Sequence, residues 1–148
     1  MAGARNKART RAFQILFEAD HRGVSPQEVL ANWVRRAQQV PRDEGTPQVG
    51  EYTMELVEGY VQHAARIDEL IASYAVGWTL DRMPMVDRTL LRLGAFELIW
   101  EDAVPDAVVL DEVVQLAKEF SGDEAPGFVN GLLARLQELK PSLRASRD

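Results

Sequence analysis

The sequence predicts an all-α fold of about seven helices. Apolar residues recur at spacings of three and four along almost the whole chain, which is the period of one helix face. No window alternates apolar and polar residues over the length that a half-buried strand needs. The chain has 148 residues, 46% of them apolar, which suffices for one buried core, so we expect one domain over residues 1–148.

The ends of the predicted helices carry residues that favour such ends. Gly23 can end the first helix, because glycine tolerates the left-handed backbone found there. Ser25, Pro26 and Glu28 combine an N-cap, a first-turn proline and a capping box at the start of the second helix. Pro105 similarly precedes the sixth. The predicted helices span residues 7–21, 26–39, 48–64, 66–76, 84–100, 106–120 and 125–138.

Two stretches lack the helical period. Residues 40–50, VPRDEGTPQVG, combine proline, glycine and charge, which is typical of a loop, and we expect this loop to separate two helical halves. The chain ends in SLRASRD, which predicts a frayed tail at about residues 140–148.

Composition excludes several classes of protein. No apolar run approaches the ~18 residues that a membrane-spanning helix needs, and no apolar stretch of a secretory signal follows the basic first residues. The sequence has no cysteine, which excludes disulfides and thiolate metal sites and agrees with a reducing compartment. We therefore expect a cytoplasmic protein without a membrane segment.

Charge is distributed unevenly along the chain. The formal net charge is -6, yet no acidic residue precedes Glu18, and 4 of the 17 lysines and arginines lie in the first 16 residues. Residues 17–148 carry the other 13 basic side chains and all 23 acidic ones, a balance of -10. A basic N-terminal arm at about residues 1–11 on an acidic body predicts that any contact with nucleic acid is confined to the arm and its neighbours.

The basic residues fall on two sides of the first helix. At about 100° per residue, Lys7 and Arg11 lie opposite the apolar stripe and face outward. Arg5 and Arg9 would fall on the stripe, where an unpaired charge is costly, so we expect them to project beyond the edge of the core. A solvated N-terminus that only aids solubility is the alternative. Cations near a helix N-terminus oppose the helix dipole, which favours an anionic ligand instead.

No constellation for catalysis or metal binding is visible. Glu18 and His21 have half of the carboxylate–histidine spacing of a di-iron bundle, but such a site needs a second copy and further carboxylates. His21 is better explained as a last-turn residue that interacts favourably with the helix dipole. The sequence has no Gly-rich phosphate loop and no serine or cysteine nucleophile motif. We therefore expect no enzymatic activity, no metal and no cofactor.

The segment GDEAPGFVNGLLARL at 122–136 is a candidate for RNA binding. Single-stranded RNA is usually held by basic residues and by rings on which bases stack. Phe128 falls in the first turn of the last predicted helix, where its ring is either a core residue or a stacking platform. Gly127 and Gly131 each cost about 1 kcal/mol relative to alanine in a helix, which implies that a neighbouring helix or a ligand approaches that backbone. Three tryptophans are interpreted as core or helix-edge residues: Trp33, Trp78 and Trp100.

Three segments resemble the NusB family of transcription antitermination factors. They are RNKARTRAFQILFEAD at 5–20, VDRTLLRLGAFEL at 86–98 and VPDAVVLDEVVQLAKEFSGDEAPGFVNGLLARL at 104–136. The resemblance implies two three-helix bundles with an extra helix, and a protein that binds the single-stranded boxA segment of ribosomal-RNA leader transcripts. It also implies a heterodimer with NusE, a ribosomal small-subunit protein, which joins the elongating RNA polymerase complex.

The resemblance also assigns site residues. The NusE-binding face of the family falls near Tyr74 and Asp87. The RNA-binding positions comprise the arginine-rich motif, one ring of the first helix and a face near the last helix: Arg5, Lys7, Arg9, Arg11, Phe17, Glu124, Phe128 and Asn130.

Three positions depart from the family pattern. Asn6 interrupts the basic run, Glu124 stands where an aspartate is usual, and Ala134 replaces an acid. Because a carboxylate repels phosphate, we expect Glu124 to cap backbone amides or to contact a base edge.

Other functions and assemblies remain as alternatives. The RNA-binding N-terminal domain of ribosomal-RNA cytosine methyltransferases resembles NusB in fold, but those chains continue into a methyl-donor-binding domain whose Gly-rich motif is missing from this sequence. A purely structural helical protein would leave the basic arm without a partner. A homodimer is a further alternative, because an apolar face that meets NusE in one species can meet a second copy in another.

Overall fold

The computed structural model describes residues 2–39 and 49–146. Within these ranges the fold is all-α, with seven α-helices, one 3₁₀ turn and no strand, which confirms the predicted class. In chain order the elements are α1 (Ala2–Arg22), α2 (Pro26–Gln39), α3 (Glu51–Tyr74), the 3₁₀ turn (Leu80–Arg82), α4 (Met85–Ile99), α5 (Asp106–Phe120), α6 (Ala125–Glu138) and α7 (Lys140–Ala145). No helix in the described ranges has both the length and the apolar character needed to cross a membrane.

The chain divides into two compact units, Met1–Val61 and Gln62–Asp148. The first unit contains α1, α2 and the first half of α3, and the second contains the rest of α3 and α4 to α7. The division falls within α3 and not at the loop 40–50, where the sequence analysis placed it. Residues 40–48 of that loop lie outside the described residues.

The helix predicted at 48–64 and the helix predicted at 66–76 are one element. The backbone of His63 (φ -113°, ψ 15°) departs from helical geometry and produces a kink within α3. The predicted helix boundary at residues 64–66 lies within about three residues of this kink, but the prediction that a helix ends there is wrong.

The boundary between α1 and α2 has the predicted chemistry. Gly23 adopts a φ of 70°, and the N–H of Val24 donates to the carbonyl of Ala19 at 3.0 Å, which closes the end of α1. The N–H of Glu28 donates to Ser25 Oγ at 3.2 Å, which confirms the predicted N-cap of α2.

The basic N-terminal segment is part of α1. The helix begins at Ala2 instead of near residue 7, so the expected arm is the first turns of a helix. Alanine at positions 4 and 8 favours helix in this segment. Thr53 Oγ1 also donates to the carbonyl of Ala8 at 3.0 Å, which ties these turns to α3 within the first unit.

Each unit has its own apolar core. In the first unit, Ile15 of α1, Val29 of α2 and Leu56 of α3 are fully buried. The second unit is built around α4, which contacts α5, α6 and α7. A Cβ added at Gly94 of α4 would lie 2.7 Å from Leu133 Cδ1 of α6, so a larger residue there would require the Leu133 side chain to shift.

The predicted frayed tail is wrong for residues 140–145, which form α7. Leu143 is 7% exposed, and α7 contacts α4 and α6. Lys140 Nζ donates to Asp106 Oδ1 at 2.6 Å, and Arg144 forms an ion pair with Asp102. These contacts, rather than helix propensity, explain so short a helix.

Candidate nucleic-acid interface

The first turns of α1 present basic side chains. Arg5 and Lys7 are exposed, Arg11 is half-buried, and the first turn of α1 holds no acidic residue. The guanidinium carbon of Arg5 lies 5.5 Å from the centroid of the Tyr52 ring, a cation–π contact within the first unit. The charges are therefore carried by an ordered helix, which reduces the entropy lost when a ligand binds them.

Arg9 differs from the other basic residues of α1. The expectation that its charge projects beyond the core is wrong, because the side chain is 1% exposed. The physical reason is the regularity of the helix: Arg9 lies on the same stripe as Ala12 and Phe13, which are also buried. In this position its guanidinium is not available to RNA.

Aromatic rings follow one another along α1. Phe13 is 3% exposed, Phe17 is half-buried and His21 is exposed. The Phe17 ring lies 5.9 Å from that of Phe13 and 6.1 Å from the imidazole of His21, with the latter two planes 1° apart. Phe17 can thus offer ring surface to a base. Among the described residues, no group of three or more His, Cys, Asp or Glu side chains could hold a metal ion.

The second unit contains a groove of about 540 Å³. Its walls come from the segment after α3, from the start of α4 and from the loop that joins α5 to α6. The lining residues are Trp78, Pro84, Asp87, Ser121, Gly122, Asp123, Glu124, Ala125 and Phe128. None of them is lysine or arginine.

Two rings form one side of the groove. Phe128 is half-buried, and its ring centroid lies 6.3 Å from that of Trp78 at an interplanar angle of 53°. Trp78 is 47% exposed, so its interpretation as a core or helix-edge residue is wrong. It lies in the loop between α3 and the 3₁₀ turn, where sequence periodicity carries no information about exposure. Phe128 is neither a fully buried core residue nor a fully exposed platform.

The carboxylates of the groove differ in their environments. Asp87 is 5% exposed, and its Oδ1 accepts a hydrogen bond from Ser121 Oγ at 2.5 Å. Asp123 and Glu124 are exposed. Glu124 occupies the N-cap position of α6 but makes no capping hydrogen bond through its side chain, so the expectation that it caps backbone amides is wrong.

Residues assigned to two different ligands line this one groove. Asp87 belongs to the predicted NusE face, whereas Glu124 and Phe128 belong to the predicted RNA face. Because Asp87 is almost fully buried, a partner reaches it only by inserting a group into the groove. Tyr74 does not line the groove; it is half-buried, and the guanidinium carbon of Arg135 lies 6.0 Å from its ring centroid.

One face of α6 is exposed to solvent. Asn130 is exposed, as are Gly127 and Gly131. A Cβ added at either glycine would meet no other atom within 4 Å, so no described helix explains these glycines.

The chain is similar to known NusB proteins in sequence. The model of the NusB family matches residues 6–138. The transcription antitermination protein NusB of Streptomyces griseus is 69% identical over 141 residues, which cover 95% of this chain and 96% of the relative. The protein of the same name from Thermobifida fusca is 54% identical, with 95% of this chain and 94% of the relative covered.

The chain is also similar in fold to solved structures of NusB proteins. A crystal structure of the antitermination factors NusB and NusE in complex with dsRNA contains a chain with a TM-score of 0.77 and 31% identity, covering 93% of this chain and 98% of that one. NusB of T. maritima gives a TM-score of 0.79 at 28% identity, with 96% of both chains covered.

Proposed function

The chain belongs to the NusB family of transcription antitermination factors, and from this membership we propose that it binds single-stranded boxA RNA of ribosomal-RNA leader transcripts together with NusE. The pair then joins the elongating RNA polymerase complex in the cytoplasm. The family consists of RNA-binding factors and not of enzymes. The methyltransferase alternative lacks support, since the relatives are named antitermination proteins over nearly their whole length. The related complex of NusB and NusE with dsRNA supports RNA and NusE as ligands.

The first RNA contact in this proposal is the start of α1. Arg5, Lys7 and Arg11 neutralise phosphates, and Phe17 offers ring surface to a base. The observation that carries the proposal is that Arg5 and Lys7 are exposed and Arg11 half-buried on helical turns without an acidic residue, in a chain whose net charge is -6. Arg9 is omitted from the contact set because its side chain is buried.

The second unit supplies the remaining contacts. Phe128, whose ring is half-buried, stacks on a base through its accessible face, and the exposed Asn130 donates or accepts hydrogen bonds at a base edge. Glu124 lies beside them at the groove and disfavours phosphate there. NusE binds near Tyr74 and Asp87. A homodimer that uses the same face remains an alternative to the heterodimer.

The proposal is tested with a fluorescently labelled boxA-like RNA, titrated with the protein in the presence and absence of NusE. We expect NusE to tighten RNA binding, because an acidic chain with few exposed cations has little electrostatic affinity of its own. An RNA of equal length and composition in scrambled order is the control, and NusE should tighten its binding less. Equal affinity with and without NusE, or equal binding of both RNAs, would contradict the proposal.

A further inference from the structure

The start of α3 contacts the start of α1 through two successive residues. The guanidinium carbon of Arg5 lies 5.5 Å from the centroid of the Tyr52 ring, and Thr53 Oγ1 donates to the carbonyl of Ala8 at 3.0 Å. Arg5 and Ala8 are three residues apart on α1, so they lie on the same face of that helix. The first turn of α3 therefore lies along one face of the basic turns of α1.

These two contacts differ in what they can do for a ligand. Thr53 is fully buried and its hydrogen bond ends on the backbone of α1, so this contact fixes the helix itself. Tyr52 is half-buried and Arg5 is exposed, so their contact lies at the border between the packed helices and solvent. Of the two, only the contact of Tyr52 can orient a side chain that meets RNA.

An aromatic ring is suited to orient a cation for phosphate. It attracts a guanidinium through its quadrupole and adds no formal negative charge, so it does not compete with phosphate for the positive charge. A guanidinium that packs against a ring can still donate hydrogen bonds from the N–H groups at its edge. A long arginine side chain loses rotamer freedom when it binds a ligand, and a contact formed beforehand reduces this loss.

We infer that Tyr52 is a positioning residue for RNA binding, whose ring holds the guanidinium of Arg5 where it meets a phosphate. The inference rests on the proposed function, since it takes Arg5 as an RNA contact. It gives the first turn of α3 a part in RNA binding, although that turn carries no basic side chain. Lys7 lies about 200° around the helix from Arg5 and is exposed, so Tyr52 does not position it.

The test is a double-mutant cycle of RNA affinity, with the variants Arg5→Ala, Tyr52→Leu and the combination of the two. A second cycle, in which Lys7→Ala replaces Arg5→Ala, is the control. Tyr52→Phe retains the ring face, and Arg5→Lys keeps the charge while α3 stays unchanged. Affinity for the boxA-like RNA is measured by fluorescence anisotropy at several salt concentrations with NusE present. Urea denaturation measures the stability of each variant.

We expect Tyr52→Leu to weaken RNA binding about two- to fivefold and to lower the slope of log affinity against log salt by up to ~0.7, although it removes no charge. Tyr52→Phe should keep the wild-type affinity and slope, and Arg5→Lys should bind more weakly than wild type. In the Arg5→Ala background Tyr52→Leu should have no further effect, whereas in the Lys7→Ala background it should keep its full effect.

Additive losses in the cycle with Arg5 would overturn the inference, because Tyr52 would then contact RNA directly or act on the fold alone. The inference also fails if Tyr52→Phe loses as much affinity as Tyr52→Leu, or if Arg5→Lys binds like wild type. Wild-type protein that prefers the boxA-like RNA to the scrambled one leaves the proposed function standing whatever the cycle gives. Wild type without that preference removes both.

Discussion

Lys7 and Arg9 lie two positions apart on α1 and have opposite environments: Lys7 is exposed, whereas Arg9 is 1% exposed. The same charge in the same segment therefore has two physical roles. An exposed lysine contributes little to stability and is free to meet phosphate, while a buried arginine is held among packed side chains. The basic motif that sequence reasoning treats as one unit separates into ligand-facing residues and a structural residue.

Replacing Arg5, Lys7 and Arg11 together by alanine should weaken RNA binding without unfolding the protein. Each lost phosphate contact on a single strand lowers the slope of log affinity against log salt by ~0.7, so three contacts give a change of about 2. Anisotropy titrations at several salt concentrations measure the slope, and circular dichroism checks the fold. An unaltered slope in a folded variant would remove these residues from the RNA contacts.

Arg9→Ala should act on stability instead. Truncating a large buried side chain costs about 2–5 kcal/mol of unfolding free energy, because packing is lost and the site collapses only in part. Urea denaturation compares this variant with Lys7→Ala, for which we expect a change within about 0.5 kcal/mol. If Arg9→Ala kept full stability and lowered the RNA salt slope, Arg9 would be an RNA contact after all.

Phe128→Ala should affect binding more than stability. A stacked base is worth ~1–3 kcal/mol of RNA affinity, and a fully buried phenylalanine is worth ~3–5 kcal/mol of stability. Because Phe128 is half-buried and touches Trp78, we expect a stability loss below the second range and a binding loss within the first. Melting temperature and RNA affinity are measured on one preparation. A large melting loss with normal affinity of the folded fraction would identify Phe128 as a core residue only.

Two glycine substitutions should have opposite effects on stability. Gly131→Ala adds a methyl group where no other atom lies within 4 Å, so it should stabilise α6 by roughly 0.5–1 kcal/mol through helix propensity. Gly94→Ala places its Cβ 2.7 Å from Leu133 Cδ1, in a core where Leu133 is fully buried, and should destabilise by about 1–3 kcal/mol.

Thermal unfolding compares the two glycine variants. The double variant Gly94→Ala with Leu133→Ala tests the cause, since its loss should be smaller than the sum of the single losses. A strictly additive loss would show that the clash with Leu133 is not responsible.

Glu18 should make stability depend on pH in the acid range. Burial raises the pKa of its carboxyl, but hydrogen bonds from Arg22 at 2.8 Å and Trp33 at 3.2 Å, with the charges of Arg22 and Arg36, outweigh burial and lower the pKa below 4.5. A group whose pKa is depressed by folding contributes stability above its unfolded pKa and loses that contribution as pH falls.

The stability difference between wild type and Glu18→Gln should therefore be largest above about pH 5 and shrink below it. The side chain is 32% exposed, so we expect the difference to stay at or below about 1 kcal/mol. Urea denaturation at a series of pH values measures it, with Glu55→Gln as the control for removal of an exposed charge. A difference that stayed constant from pH 7 to about pH 3 would contradict the assignment.

The sequence was sufficient to predict those helices whose ends are determined by neighbouring residues in the chain. The predicted bounds of α2, α5 and α6 agree with the structure, because capping residues and prolines mark the starts of these helices and apolar periodicity defines their faces. The sequence was insufficient to predict a helix that depends on contacts between residues far apart in the chain. The helix α7 depends on Leu143 in the core and on the ion pair of Lys140 with Asp106, and neither is visible in a six-residue segment.

The same distinction applies to the candidate site. Periodicity placed Lys7 and Arg11 on the outer side of α1, and both retain access to solvent. Periodicity also placed Arg9 on the apolar stripe, which agrees with its burial. The prediction that its charge projects beyond the core, based on the cost of burying an unpaired charge, is wrong. The groove was not foreseen, because Trp78, Asp87 and Glu124 come from three separate segments that meet only through tertiary packing.

The unequal environments of the three tryptophans turn the groove into an optical probe. Trp33 donates its Nε1 hydrogen to Glu18, and the indole of Trp100 stacks on the imidazole of His63 with centroids 4.8 Å apart. Trp78, at 47% exposure, is the tryptophan whose ring borders the groove. An indole that exchanges water for a bound group emits at shorter wavelength, so filling the groove should shift the fluorescence of Trp78 to the blue without any attached dye. Trp78→Phe should abolish the shift and leave the emission of the other two indoles as the remaining signal.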